Sequence, residues 1–327
     1  MKNNTFPHSK RRYHKSTWFH LVGIVIFIFI VNQIDFSKSI NILQKISFNY
    51  LILAILLNIP MILIKAYRWK MMLSNQNIYY SSFSSIIVYA SSIFIGIVTP
   101  GRIGEFVKAY FLKNDLNISI SKGMSSVIGD RLFDLYFLLI IGNFGFWYFK
   151  LLGKVSYIFF ILDCTIIALP ILIYNKRFMK KIVNFLYRSI SNKAYKEKIE
   201  TSFNEFYQGV DQLIAPNIVF QLILTVFAYL FFFLQCYFLV ISLQLNIDFL
   251  TITLFMSISN LISLIPISIG GIGTRDAVLI YLFSMLSINS EYAVSYSLLI
   301  LFTFLIGNGF FGGIAWWIKS VQMTVEK

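Results

Sequence analysis

Six uninterrupted apolar runs and two broken ones take up most of this 327-residue chain. A bilayer core about 30 Å thick asks for about 20 apolar residues per helix. The uninterrupted runs are Trp18–Ile34, Ser47–Ile64, Val127–Phe149, Val155–Tyr174, Asn217–Leu243 and Tyr292–Ile318. The broken runs are Ser82–Leu112, interrupted at Thr99-Pro100-Gly101, and Phe249–Leu286, interrupted at Pro266 and again at Gly270-Gly271-Ile272-Gly273. Only 13% of residues are charged, against about 25% in soluble domains. The expected fold is an all-α polytopic membrane protein. The length leaves no room for a sizeable soluble catalytic domain as well.

The balance is basic, with 28 Lys and Arg against 14 Asp and Glu. These cations gather at the ends of apolar runs, so they read as topology signals and anionic-lipid contacts, with no nucleic-acid partner. Cys164 and Cys236 both lie inside apolar runs and give neither a disulfide framework nor metal-ligand spacing. His8, His14 and His20 lie in or beside the N-terminal tail. No metal site, cofactor or nucleophile–base arrangement is expected. Asn32, Gln33 and Asp35 stand where a small-residue cleavage site would follow a signal peptide, so an uncleaved first span is expected.

Orientation follows from Lys and Arg in short loops. Residues 1–17 carry five basic residues, Lys65–Lys70 three, and the stretch 175–216 eight. All three are expected on the cytoplasmic side, as is the tail 319–327. The chain would then be a multi-pass protein of the cytoplasmic membrane with both termini inside. Residues 18–318 form one membrane domain. The stretch 175–216 looks like an amphipathic cytoplasmic loop, with Phe178, Ile182, Phe185, Leu186 and Ile190 at helical spacing. Its expected place is on the inner leaflet, with docking or regulation as the other role.

This charge count forces Ser82–Leu112 to enter and return on one side, with Pro100 and Gly101 at its turn. It forces Phe249–Leu286 to do the same from the other side. The expectation is about six full spans plus two oppositely oriented re-entrant hairpins. Both turns carry Gly-x-Ile-Gly, in Gly101-Arg102-Ile103-Gly104 and in Gly270-Gly271-Ile272-Gly273, with an Arg and an acid nearby. Residues 47–149 and 217–318 therefore outline an inverted repeat, an architecture in which broken helices place a site near the membrane midplane.

Nine charges remain at membrane depth: Arg102, Lys108, Arg131 and Arg275 with Glu105, Asp130, Asp134, Asp163 and Asp276. Each would cost at least about 2.5 kcal/mol unpaired, so they pair, face a wet cavity, or both. Arg102, Glu105 and Lys108 share a helix face by spacing, and so do Arg131 and Asp134, and Asp130 and Asp134. Adjacent Arg275 and Asp276 are expected to reach to other elements, Arg275 to Asp130 or Asp134 and Asp276 to Arg102 or Arg131. Asp163 has no local partner. The alternatives are structural glue between hairpins or a polar cavity for a charged headgroup. Helix N-termini after the glycine turns at Gly104 and Gly273 suit a phosphate.

The stretches Thr99-Pro-Gly-Arg-Ile-Gly-Glu105, Gly129-Asp-Arg-Leu-Phe-Asp134 and Gly270-Gly-Ile-Gly-Thr-Arg-Asp276, in this order and spacing, resemble the flippase-like membrane domain of lysylphosphatidylglycerol synthases. The resemblance includes stand-alone proteins built from that domain only, and it covers about Trp18 to Ile318. It implies a lipid translocase that moves an anionic or aminoacylated phospholipid, or a polyprenyl-linked lipid, between leaflets. It carries substrate binding onto Arg102, Glu105, Asp130, Arg131, Asp134, Arg275 and Asp276, to which the charge pattern adds Lys108. Asp130 and Asp276 stand where the family often has Glu, and Lys108 where it often has Arg, so reach is shorter here. The full-length synthases add a soluble aminoacyl-transferase domain, and this chain ends at Lys327, so lysine transfer is not expected. Two other readings stand: an intramembrane lipid-modifying enzyme, and a structural partner in envelope glycolipid assembly. Membrane lipids are the expected partners, with a second copy or an envelope-biosynthesis enzyme as protein partner.

Overall fold

The computed structural model describes residues 36–97, 99–151, 164, 167–168, 175–187, 193–213, 217–263 and 273–325. The expected spans Trp18–Ile34 and Val155–Tyr174, the tail before Trp18, Asp163, Pro266, Gly270 and Gly271 lie outside this set, except for isolated residues of the second span. Among the described residues every regular element is helical. In order they are α1 Phe36–Gln44, α2 Phe48–Leu56, α3 Asn58–Asn75, α4 Ser82–Ile97, a 3₁₀ turn Pro100–Phe106, α5 Val107–Leu116 and α6 Ile120–Tyr148. There follow α7 Lys176–Tyr187, α8 Lys193–Leu213, α9 Ile218–Ser242, α10 Phe249–Ser263, α11 Thr274–Ser284 and α12 Ser290–Phe304. A π-helical segment Leu305–Phe310 joins α12 to α13 Phe311–Val325.

Three stretches among the described residues are long and apolar enough to cross a membrane: Phe48–Asn75, Ile218–Ser242 and Ser290–Lys319. Helix α9 shows why. Its 25 residues give a length of about 38 Å, enough to span the hydrocarbon. One face exposes Val219, Leu222, Val226 and Phe227. The other buries Gln221, Thr225, Tyr229 and Gln235. Apolar outside and polar inside is the pattern of a helix in lipid, where polar groups find partners only within the protein. The chain is a polytopic all-α membrane protein.

The span that begins at Phe48 runs further than its hydropathy suggests. The apolar run was expected to end at Ile64, with Lys65–Lys70 as a cytoplasmic segment. Instead the helix continues to Asn75, with a local turn at Leu57. Ala66, Trp69, Met72 and Leu73 keep one buried face through the basic stretch. Helical packing on that face overrides the charge signal, and Lys65 and Arg68 are drawn into the interior. Lys70 alone sits at the edge, donating to the Ser82 hydroxyl at 2.7 Å.

The first broken run forms a helix–turn–helix unit, and the described parts of the second are the helices α10 and α11. Helices α4 and α5 have 16 and 10 residues, α10 and α11 have 15 and 11. Each is shorter than a full crossing. The first unit begins beside the end of α3 and ends where Asp115 meets Lys319 of α13, at 2.6 Å, and the Tyr80 hydroxyl. The second begins just past the end of α9 and leads through a short loop into the start of α12. Ser47 beside Ser242 and α1 against α12 identify that as the opposite end of the bundle.

Helices α7 and α8 occupy the expected amphipathic stretch, with Phe178 and Ile182 exposed. Helix α8 also packs on α6: Tyr207 and Val210 are buried, and the Gly209 carbonyl accepts from the Gln76 amide at 3.0 Å. It is part of the bundle as well as an amphipathic segment.

Candidate functional site

Helix α6 carries the centre of the site. Asp130 and Asp134 lie four residues apart on its inner face, both buried. Arg68 of α3, also fully buried, fills the space between them. Its Nη2 donates to Asp130 Oδ1 at 2.7 Å and to Asp134 Oδ1 at 2.8 Å, its Nε to Asp130 Oδ1 at 3.2 Å, and its Nη1 to the Thr225 hydroxyl of α9 at 2.7 Å. Lys65 donates to Asp134 Oδ2 at 2.7 Å and lies 4.6 Å from the centre of the Tyr229 ring. Lys108 of α5 donates to Asp130 Oδ2 at 2.8 Å and stands over the Tyr89 ring at 4.2 Å. The Tyr89 hydroxyl donates to the same oxygen at 3.1 Å. Every carboxylate oxygen here is bonded, as ions held out of water require.

The break of the first unit stands beside this network. Pro100 opens the 3₁₀ turn, and the Thr99 hydroxyl accepts from the Gly104 amide at 2.8 Å. Gly104 lies so close to the Ile95 carbonyl that a Cβ would meet it at 2.5 Å. This packing turns Glu105 inward, where it forms an ion pair with Arg131 of α6. Arg102 takes a left-handed backbone with φ 55°, a conformation uncommon outside glycine. Its side chain is exposed, and its guanidinium lies 4.9 Å from the centre of the Phe304 ring, where α12 passes into the π segment. Among the described residues Arg102 forms no ion pair. It is within electrostatic reach of Asp134 and of Arg275.

The start of α11 presents a smaller, closed set. Gly273 has φ 87°, which suits a residue without Cβ. Its amide donates to Asp276 Oδ2 at 2.9 Å, capping α11. Arg275 donates to the Ser297 hydroxyl at 3.0 Å and to the Ser297 carbonyl at 3.3 Å. The Ser297 hydroxyl in turn donates to Asp276 Oδ1. Arg275 and Asp276 approach to 3.6 Å.

Several expected pairings are thereby corrected. Arg275 meets Asp276 and Ser297 rather than Asp130 or Asp134, because Ser297 of α12 stands between the two adjacent side chains and bonds both. Asp276 meets neither Arg102 nor Arg131. Arg131 reaches across to Glu105 rather than along its helix to Asp134, whose oxygens Lys65 and Arg68 already occupy. Lys108 is enclosed on Asp130 rather than open on the face with Arg102. The network members missed from the sequence are Lys65, Arg68, Tyr89, Thr225, Tyr229 and Ser297. The usable signal for the first two was the buried-face spacing of Ala66, Trp69 and Leu73, which carries the helix past Ile64.

Six cations (Lys65, Arg68, Arg102, Lys108, Arg131, Arg275) stand near four carboxylates (Glu105, Asp130, Asp134, Asp276), an excess of two positive charges. Among the described residues no group of His, Cys, Asp and Glu has the geometry of a metal site.

Residues 19–311 match the family described as the lysylphosphatidylglycerol synthase TM region. A UPF0104 membrane protein of Methanocaldococcus jannaschii is 30% identical over 304 residues, covering 87% of this chain and 89% of that protein. A UPF0104 membrane protein of Pyrococcus horikoshii is 27% identical over 304 residues, covering 85% and 90%. No solved structure matches the chain.

Proposed function

The chain belongs to the lysylphosphatidylglycerol synthase transmembrane-region family, and we propose that it is a lipid translocase, moving an anionic or aminoacylated phospholipid or a polyprenyl-linked lipid between leaflets. One observation carries this reading. Arg102 is an exposed cation without an ion pair among the described residues, and it sits at a helix break within electrostatic reach of Asp134 and Arg275. A charge at bilayer depth persists only with a partner or a wet surface. The excess of two positive charges in the site, Arg102 among them, suits a phosphate group as that partner.

In this mechanism the headgroup phosphate docks on Arg102 while its acyl chains stay in lipid. The Arg68–Asp130–Asp134 network holds α3, α6 and α9 in register behind it. The two broken units serve as re-entrant hairpins opening to opposite leaflets, so that small movements at the breaks turn the site from one side to the other. The basic α7–α8 end faces the cytoplasm, as do both termini, and the protein resides in the cytoplasmic membrane.

The test is transfer of labelled phosphatidylglycerol, its lysyl ester or a polyprenyl phosphate in proteoliposomes. A hydrogen bond to a charged group contributes about 1.5–3 kcal/mol. Arg102→Ala is therefore expected to slow transfer by roughly tenfold to a hundredfold, and Arg102→Lys by less. Unchanged transfer in Arg102→Ala would remove the site.

A further inference from the structure

We propose that residues 305–310 are a register switch that lifts the Phe304 ring from Arg102 and so gates that guanidinium; the inference rests on the Arg102 site proposed above. The segment is π-helical, a winding that is rare, comes in single turns and recurs at functional sites. A π turn holds one residue more than the α-helical turn it replaces, and that extra residue can pass along the helix. Each residue the wide turn passes is re-aimed by about 100°, the rotation of one α-helical position. Phe304 stands directly before the segment, and its ring centre lies 4.9 Å from the Arg102 guanidinium. It is the first side chain turned when the wide turn moves toward α12.

Packing directs the movement that way. A Cβ on Gly312 would meet the Ala90 carbonyl at 2.7 Å, so the start of α13 is seated on α4 and cannot turn. The segment itself is unobstructed on its outer side, where Leu305, Ile306 and Phe310 are exposed and a Cβ on Gly309 would meet nothing within 4 Å. On the inner side Asn308 donates from Nδ2 to Asn58 Oδ1 at 3.0 Å. Asn58 gives its own amide to the Ile55 carbonyl at 2.9 Å and the Ala54 carbonyl at 3.4 Å, which fixes its oxygen toward Asn308. This bond latches the wide turn in place. Yet Asn308 Oδ1 and the Thr303 hydroxyl, on either side of Phe304 in the chain and both buried, have no hydrogen-bond partner among the described residues. Unmet polar groups in an interior cost free energy, so the latched register holds little margin over a shifted one.

The test places para-fluorophenylalanine at position 304 of the full chain in phosphatidylcholine nanodiscs and records its fluorine NMR spectrum. Two ring environments are expected, and Arg102→Ala should remove the one seated on the guanidinium. Asn308→Ala removes the latch and is expected to shift the ratio of the two by about twofold to tenfold toward the unseated ring, the worth of one buried hydrogen bond. Deleting Gly309 takes out the extra residue and should leave a single environment. A spectrum that Arg102→Ala alters, and that neither Asn308→Ala nor the deletion changes, overturns the switch. So does a spectrum that Arg102→Ala leaves unchanged. Should the deletion prevent folding, Asn308→Ala carries the test alone. Lipid transfer is measured on the same proteins. Two latch-dependent ring positions in a protein that transfers no lipid would sink the translocase reading and leave the switch standing. Arg102-dependent transfer with a ring that ignores the latch sinks the switch alone.

Discussion

Arg68 on α3 and Asp130 on α6 are both fully buried and joined by hydrogen bonds from Nε and Nη2 to one carboxylate oxygen, at 3.2 and 2.7 Å. The pair links two helices that the sequence separates by 62 residues. It also fixes the orientation of Asp134, which shares the same guanidinium nitrogen.

Removing one partner of this pair should cost far more than removing both. Arg68→Ala leaves Asp130 and Asp134 short of a counter-charge, a loss of about 3–5 kcal/mol. Arg68→Met combined with Asp130→Leu removes both charges, though Lys108 then loses its bond to Asp130. Adding Lys108→Met to that double change should recover most of the loss. Denaturation in detergent micelles measures all three variants. Equal stability of the single and triple variants would contradict the pairing.

A second buried contact joins the turn at Leu57 to the π segment. Asn308 donates from Nδ2 to Asn58 Oδ1 at 3.0 Å, both residues being buried. The neighbouring Gly307 leaves no room for a Cβ, which would overlap the Asn58 side chain. Gly307→Ala should destabilise by about 1–3 kcal/mol through overpacking. Combining it with Asn58→Ala should restore part of that loss. A double-mutant cycle on unfolding free energy reads the coupling, and an additive cycle would refute it.

Asp248 caps α10: its carboxylate accepts from the Thr251 hydroxyl at 2.6 Å and from the Thr251 amide at 3.0 Å. These bonds hold the carboxyl below its ordinary range. A depressed folded-state value means the stabilisation is present above the unfolded carboxyl's range, near pH 4, and fades as pH falls through the folded one. Asp248→Ala should cost about 0.5–1 kcal/mol at neutral pH, the lower part of the capping range because the group is exposed. The difference from the parent should shrink in acid. A difference that grows on acidification would contradict the assignment.

Helix α8 meets α6 at Gly209, where a side chain would press on Ser125 and on the Gln76 amide, 3.1 Å from the position of a Cβ. Gly209→Leu should lift the carboxyl-terminal part of α8 from the bundle. Hydrogen exchange of residues 193–213 should then accelerate while α9 stays protected. Unchanged exchange would show that the contact is dispensable.

Much of this architecture was legible along the chain. The break at Pro100 follows from local chemistry, since proline lacks a donor, and Gly273 at the start of α11 takes a positive φ that glycine accepts. The lipid-exposed faces follow from hydropathy. The pairing of charges was less legible. Arg131 and Asp134 share a helix face by spacing, yet Glu105 takes Arg131 and Lys65 takes Asp134. Arg68 stood at the edge of an apolar run, where a cation usually marks the membrane surface, and only the continued buried face through Leu73 carries it inside.

The amino-acid sequence by itself determined that this chain lives in lipid, where its first broken run turns, and most of the ionisable groups that must be accommodated at depth, Lys65 and Arg68 excepted. The tertiary structure decided who neutralises whom and which cation is left over. The physical reason is that an ion in a low-dielectric interior takes its partner by distance across packed helices, at 2.7 Å for Arg68 and Asp130, and separation along the chain has no bearing on that distance.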